Sequence, residues 1–247
     1  MKARQHKETA KKALKGKWGI AIGVYFIYAI ISNIIGAIPE EYSWLLIILL
    51  IVVSAPLSVG YSWFYLDVKR LPNPKIETLF AGFKGNYIRN LLASVLVTVF
   101  TLLWTLLLII PGIIKGFAYS MTLFILRDHQ EMSSLQAITE SRRLMNGKKK
   151  NLFFLMLSFI WWYIIPIIIA IVGFICFMIG ITSYSNDAVA LALLGTVLLI
   201  VGLVLFLGIG IYVMPYYMTS LAAFYDDFVK PKSNDLDEVN EDQHSLE

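Results

Sequence analysis

Residues 91–126 read LLASVLVTVFTLLWTLLLIIPGIIKGFAYSMTLFIL, thirty-six positions that carry one charge, Lys115. A membrane crossing needs roughly 20 apolar residues to traverse about 30 Å of hydrocarbon, so this run is long enough for two short crossings. Basic residues stand on both sides of it: Lys69, Arg70, Lys75, Lys84 and Arg89 before, and Arg127, Arg142, Arg143, Lys148, Lys149 and Lys150 after. Short Lys/Arg-rich membrane loops stay on the cytoplasmic side, so the two flanks share a compartment and the run crosses an even number of times. Two crossings that turn at Pro111-Gly112 satisfy this; a re-entrant hairpin satisfies it as well.

The same arithmetic extends in both directions. Residues 1–18 hold Lys2, Arg4, Lys7, Lys11, Lys12, Lys15 and Lys17, so the three basic segments together take eighteen of the twenty-one Lys and Arg residues. The polar segments 39–43 and 182–188 hold none. Expected spans are Gly19–Ile38, Trp44–Leu66 with a kink at Pro56, the two within 91–126, Leu152–Ile179, and Val189–Val213. Pro215 then opens a further helical segment, Tyr216–Phe228. The apolar stretch Gly19–Ile38 exceeds the usual core of a signal peptide and is expected to stay as the first span. The expected fold is therefore an all-α polytopic membrane bundle of about six transmembrane helices, both termini cytoplasmic. It divides into a membrane domain, 1–228, and an acidic disordered cytoplasmic tail, 229–247.

Composition agrees. The chain is 58% hydrophobic and 15% charged, with a mean hydropathy of +0.70, outside the range of soluble domains. A net charge of +4 does not point to nucleic acid, because the cations flank membrane spans, where each gains about 1 kcal/mol from an anionic leaflet. The single cysteine, Cys176, excludes an intramolecular disulfide and a cysteine metal cluster.

Residues 133–147 read as an amphipathic helix opened by a Ser133–Gln136 capping box and closed by Gly147. Leu135, Ile138 and Met145 fall on one face, which is expected to lie down on the inner headgroups. A threefold pattern runs through the chain. Leu14-Lys15-Gly16-Lys17, Phe80-Ala81-Gly82-Phe83-Lys84 and Met145-Asn146-Gly147-Lys148 each precede the first span of a pair. Each second span carries a proline (Pro56, Pro111, Pro215) and closes at an aspartate (Asp67, Asp128, Asp226). Three related two-span units, roughly 4–67, 74–128 and 133–228, are expected.

These residues also resemble a family. Leu14-Lys15-Gly16-Lys17-Trp18-Gly19, Leu79-Phe80-Ala81-Gly82-Phe83, Ile109-Ile110-Pro111-Gly112-Ile113-Ile114, Tyr119-Ser120-Met121, Leu144-Met145-Asn146-Gly147, Pro215-Tyr216 and Ala223-Phe224-Tyr225 together look like the bacterial integral membrane family "domain of unknown function 975", common in Firmicutes. The resemblance implies an all-helical fold in a Gram-positive cytoplasmic membrane and supplies no catalytic residues. Lys150, Met156 and Trp161 depart from the family's usual residues.

No catalytic constellation is visible. His6, His129 and His244 are scattered, and no Asp, Glu or His lies inside an expected span, where proton-coupled transport or intramembrane proteolysis would want one. No metal and no cofactor are expected. The candidate ligand contacts are Asn33, Lys115 and Tyr119. For Asn33 a hydrogen bond to a neighbouring helix is the preferred role, and for Lys115 snorkelling to the headgroups. Lys15, Lys17, Trp18, Lys84, Arg142, Arg143, Lys148, Lys149 and Lys150 are expected at the membrane interface, against anionic lipid headgroups. The function expected is that of a non-enzymatic cell-membrane protein that binds, or protects against, a membrane-active peptide or lipid, with bacteriocin self-immunity as one form. A small transporter or transporter subunit, or a scaffold recruiting a cytoplasmic partner, is the alternative.

Overall fold

A computed structural model describes residues 3–36, 40–183 and 187–229, and the regular structure among them is helical throughout. The expected outer turn at Pro39, part of the loop at 184–186 and the tail beyond Val229 lie outside the described residues. The helices are α1 (Ala3–Leu14), α2 (Trp18–Gly36), α3 (Ser43–Leu49), α4 (Ala55–Arg70), α5 (Tyr87–Leu107), α6 (Ile109–Tyr119), α7 (Thr122–Asp128), α8 (Ser134–Leu144), α9 (Lys149–Ile160), α10 (Ile164–Thr182) and α11 (Ala188–Val229). Five stretches are long and apolar enough to cross a membrane: Ile47–Arg70, Tyr87–Leu107, Ile109–Asp128, Lys149–Thr182 and Ala188–Phe228. The pair Ala3–Leu14 and Trp18–Ile34, bent by 100° at its junction, supplies a sixth if counted together.

The chain forms two compact units, Met1–Phe154 with Pro215–Glu247, and Leu155–Met214. In the larger unit burial is graded along the helices. Ala21 and Val24 of α2, the whole stretch Ala55–Leu57 and Val59–Val68 of α4, Ala93 of α5 and Ala118 of α6 are buried. Ile30 and Ile34, Ile47 and Ile48, Leu102 and Leu103, and Ile109 and Ile110 on the same or adjoining helices are exposed. One end of each helix thus packs on protein while the other presents bare Leu and Ile, the surface that suits lipid tails and not water.

Local chemistry explains the joints. Pro56 has no N–H to offer the Val52 carbonyl four residues back, and a π-helical stretch, Leu50–Ser54, absorbs the mismatch just before it. The freed Val52 oxygen accepts instead from the Tyr87 hydroxyl, at 3.0 Å. After α4 the chain doubles back as a 3-10 segment, Ile76–Phe83, pressed backbone to backbone on α4. A methyl group at Gly60 would fall 1.8 Å from the Leu79 carbonyl oxygen, and one at Gly82 would fall 1.9 Å from that of Pro56. Only glycine permits this approach.

The α5–α6 turn forms at Leu108, not at the expected Pro111-Gly112. Leu108 alone is extended (φ −158°, ψ 135°), and Pro111 sits in the first turn of α6, where its missing N–H costs nothing. Gly112 instead lets α6 close on α5, since a methyl there would meet Thr105 Oγ1 at 2.2 Å. In the smaller unit, Gly173 and Gly180 of α10 meet α11 at Gly195, Leu199 and Ala192. Gly195 and Gly202 of α11 meet α10 at Phe177 and Ala170. In lipid, where apolar burial gives little drive between helices, such small-residue seams let dispersion hold a pair together.

The structure shifts the register expected for the middle member of the threefold pattern. Three glycines have positive φ: Gly16 (79°), Gly85 (66°) and Gly147 (73°). The middle member is therefore Gly85, and Gly82 serves packing. Counted from these glycines, Ala10, Leu79 and Ser141 are equivalent and all buried, as are Ala21, Asn90 and Leu152, and Val24, Ala93 and Leu155. In each unit a short helical segment ends at the glycine and a long helix follows.

The amphipathic α8 also differs from expectation. Its capping box is present as read, but Ala137, Ile138 and Ser141 face protein and Leu135 is 57% exposed. Ser141 donates to Ala118 O at 2.8 Å and accepts from the Met121 N–H at 3.2 Å, satisfying the break between α6 and α7. The helix is held by the protein along this face and does not lie with it on headgroups.

Replacing Gly60 or Gly82 by Ala is expected to destabilise the protein by about 1–3 kcal/mol, because backbone rather than a flexible side chain blocks the new methyl. Gly19→Ala on α2, with nothing within 4 Å of the new group, is expected to be neutral or to stabilise by up to about 1 kcal/mol. Thermal unfolding in detergent micelles reads both.

Candidate functional site

The aspartates that close the second helices come together. Arg70, at the end of α4, donates from Nη1 and Nη2 to the two oxygens of Asp128 at 2.6 and 2.8 Å. It also donates from Nε and Nη2 to Asp226 Oδ1 at 2.9 and 2.7 Å. The Tyr225 hydroxyl donates to Asp128 Oδ2 at 2.9 Å, and Lys69 lies 3.7 Å from Asp226. Arg127 on α7 reaches back to Asp67 on α4 at 3.1 Å and lies over the Trp63 ring, while Thr78 donates to Asp67 at 2.9 Å. Helices α4 and α7 therefore exchange an arginine and an aspartate each way. A planar guanidinium can serve two carboxylates at once, which an ammonium cannot do with the same geometry.

Other cations close helix ends. Arg89 donates to Leu126 O (3.0 Å), His129 O, Gln130 O and Met132 O, collecting carbonyls left open where α7 stops. Lys17 donates to Val68 O at 2.9 Å and to Leu71 O, doing the same for α4. His6 of α1 is buried, with Nδ1 3.1 Å from Asp227 Oδ2 and its ring 5.0 Å from Phe224. Burial pushes its pKa below the ordinary histidine value, against the pull of Asp227. From the sequence, Arg70, Arg89 and Arg127 read only as topological charge and His6 only as one of three scattered histidines. The Pro-to-Asp spacing in each unit was the available signal.

A second feature lies at the α8–α9 corner. A cavity of about 500 Å³ is lined by Lys115, Thr139, Arg142, Arg143, Asn146 and Lys149. Arg143 is paired with Glu140 at 2.7 Å. Lys115 lies over the Trp104 ring at 4.5 Å, and Lys115, Arg142 and Lys149 have no carboxylate partner among the described residues. Phe117 and Phe153, 6.2 Å apart edge to face, adjoin it in sequence. The corner is a cationic socket beside apolar surface, able to hold an anion attached to something greasy.

The remaining expected residues divide. Lys15, Lys84 and Lys150 are exposed. Trp18 packs edge-on to Tyr216, and Lys148 lies 3.7 Å from the Phe228 ring centroid. Asn33 donates to Ala29 O of its own helix at 2.7 Å, not to a neighbouring helix. Tyr119 is buried against Phe100 and Ile138 and does not line the cavity. Among the described residues no group of three or more His, Cys, Asp or Glu is placed to hold a metal ion; arginines stand between the gathered aspartates.

A family model described as "Protein of unknown function (DUF975)" matches residues 1–114 and again 105–232. The chain belongs to this family. No curated protein and no solved structure matches it. The DUF975 match takes in both features described above, the arginine–aspartate cluster and the cationic corner.

Arg70→Ala is expected to cost about 3 kcal/mol, the low end for removing one partner of a buried ion pair, because Arg70 keeps 28% of its side-chain surface. Arg70→Lys should recover only part of that loss in the same unfolding assay. Since burial lowers the His6 pKa in the folded protein, the unfolded chain takes up the proton first on acidification. Stability is therefore full above the ordinary histidine pKa of about 6.5 and declines as pH falls through it. Comparing melting at pH 7.5 and pH 5.5, His6→Gln should show a smaller drop than the unaltered protein.

Proposed function

We propose that this DUF975 member is a non-catalytic protein of the cell membrane that binds a membrane-borne amphipathic molecule and thereby protects the bilayer against membrane-active agents. The observation that carries this reading is the α8–α9 corner. There Lys115, Arg142 and Lys149, which have no carboxylate partner among the described residues, line a cavity on helices that also expose Ile113, Ile114 and Phe153. Cationic amphipathic peptides bind a bilayer more strongly where headgroups are anionic, and fixed cations on a protein compete for the same headgroups. The basic segments favour a cytoplasmic placement of the charged helix ends and of both termini. Transport finds less support. The gathered carboxylates are each held by arginine, the carbonyl left open by Pro56 is satisfied within the fold, and Pro111 lies in a first helical turn without breaking a helix.

Cells with and without the gene would be challenged with a panel of membrane-active peptides and detergents. Loss of the protein is expected to raise sensitivity to at least one cationic amphipathic peptide, and complementation to restore it. Unchanged inhibitory concentrations across the panel would remove the protective reading. Saturable solute uptake by the reconstituted protein would replace it with transport.

A further inference from the structure

The cationic corner occurs twice. Around Gly16, the α1–α2 corner frames an open surface cavity of about 450 Å³ lined by Glu8, Lys11, Lys12, Lys15, Gly16 and Trp18. Counted from Gly16 and Gly147, these are the positions of Thr139, Arg142, Arg143, Asn146, Gly147 and Lys149, so five of the six lining positions are shared; Gly147 does not line the second cavity, which instead takes Lys115 and Ala118 from α6. Ala10 and Ser141, Leu14 and Met145, and Ala21 and Leu152 are buried at matching positions beneath them. A dibasic pair (Lys11-Lys12, Arg142-Arg143) opens each corner. Each lies where a short polar helix turns through a left-handed glycine into a long apolar one, which is where a chain passes from headgroups into hydrocarbon.

Like charges brought around one cavity repel unless an anion lies among them. Glu8 at the first corner is engaged by Arg4 at 2.8 Å and Glu140 beside the second by Arg143 at 2.7 Å, and the other lining cations have no carboxylate partner among the described residues. Lys115 sharpens this. It stands on an otherwise apolar helix, stacked on Trp104, with Ile113 and Ile114 exposed beside it. A free inorganic anion would gain nothing from that apolar surround; a phosphate carrying acyl chains would. We propose that both corners are phospholipid sites. The α8–α9 corner holds the phosphate of an anionic lipid between Lys115, Arg142 and Lys149, and the α1–α2 corner holds a second between Lys11, Lys12 and Lys15, with the acyl chains along the adjoining long helices. This rests on the binding reading above and names its ligand.

The full-length protein, delipidated in a neutral detergent, would be titrated with phosphatidylglycerol and examined by native mass spectrometry, with phosphatidylcholine and inorganic phosphate as separate arms. Two phosphatidylglycerol molecules are expected to bind per chain ahead of further ones, and phosphatidylcholine not to compete. Lys115→Gln/Arg142→Gln/Lys149→Gln should remove one of the two, weakening it on the order of a hundredfold if each lost charge is worth about 1 kcal/mol. Lys11→Gln/Lys12→Gln/Lys15→Gln should remove the other. Lys84→Gln/Lys150→Gln, which neutralises exposed cations outside both cavities, should leave both sites and the melting temperature unchanged.

Equal retention of phosphatidylcholine, or loss of lipid in the Lys84/Lys150 variant as large as in either triple variant, would show a diffuse charge effect and overturn the proposal. Inorganic phosphate displacing the lipid at equal concentration would reassign the sites to a free anion. The cavity variants also separate this idea from protection. If lipid binding is absent while the gene still alters peptide sensitivity, only the ligand assignment falls. If lipid binds and sensitivity is unchanged, only the protective reading falls.

Discussion

Arg70 is the residue on which the charged end of the larger unit depends. Between helices in a bilayer there is little hydrophobic drive, because lipid tails serve apolar side chains as well as a neighbouring helix does. Greasy helices can therefore slide or separate unless close packing or polar contacts fix them. Here one guanidinium takes both oxygens of Asp128 and one of Asp226, tying the ends of α4, α7 and α11 together. The return pair, Arg127 to Asp67, makes the α4–α7 link reciprocal. Tyr225 completes the Asp128 carboxylate from the third helix. Lys17 and Arg89 occupy the carbonyls these ends leave open. The result is a polar seam at one end of the larger unit, while Ile30 and Ile34 of α2, Ile47 and Ile48 of α3, and Leu102 and Leu103 of α5 are exposed.

That gradient follows from what glycine and proline do nearby. Gly60 and Gly82 bring the 3-10 segment onto α4 close to the seam, and Asn90 adds a hydrogen bond to Gly82 O at 3.1 Å. Pro56 and its π-helical stretch mark where α4 leaves this packed region and where α3 becomes exposed. Tight packing at one end leaves the corners at Gly16 and Gly147 on the rim of the seam, with polar helices behind them and apolar helices ahead. An amphipathic cavity at such a corner is a product of topology before it is a product of any one side chain.

Much of this could be read from residue order, and the misses share a cause. Helix number, the basic segments and the recurrence of proline followed by aspartate rest on spacing along the chain, which sequence displays. The partner of each aspartate does not. Arg70 and Asp226 are 156 positions apart, and nothing local distinguishes an arginine that bridges helices from one that faces headgroups. The turn was expected at Pro111-Gly112 because that dipeptide is the usual breaker, yet proline is harmless in a first helical turn and the glycine was needed for contact with Thr105. Gly82 and Gly85 differ by three positions and both follow a large apolar residue by two; only their backbone angles and neighbours separate a packing glycine from a turning one. Leu135 has the right periodicity for the buried face of α8 but is exposed, and in the same first turn it is Ser134 that is buried and donates to Arg89 O of α5 at 2.7 Å.

The middle unit explains why the corners are not all alike. Counted from Gly85, the positions of Lys11-Lys12 and Arg142-Arg143 are held by Phe80-Ala81, and that of Trp18 and Lys149 by Tyr87. The segment before Gly85 is a 3-10 helix that presses Leu79 and Gly82 on α4, while Phe80 is exposed and Ala81 half-buried, so an aromatic and a methyl stand where the outer units carry cations. Tyr87 correspondingly turns its hydroxyl inward to the Val52 carbonyl that Pro56 leaves open. Burial is shared at the equivalent positions Ala21, Asn90 and Leu152, but in the middle unit the position carries an amide that bonds Gly82 O, while in the outer two it carries an aliphatic side chain. The repeat thus preserves a backbone path and a set of buried positions.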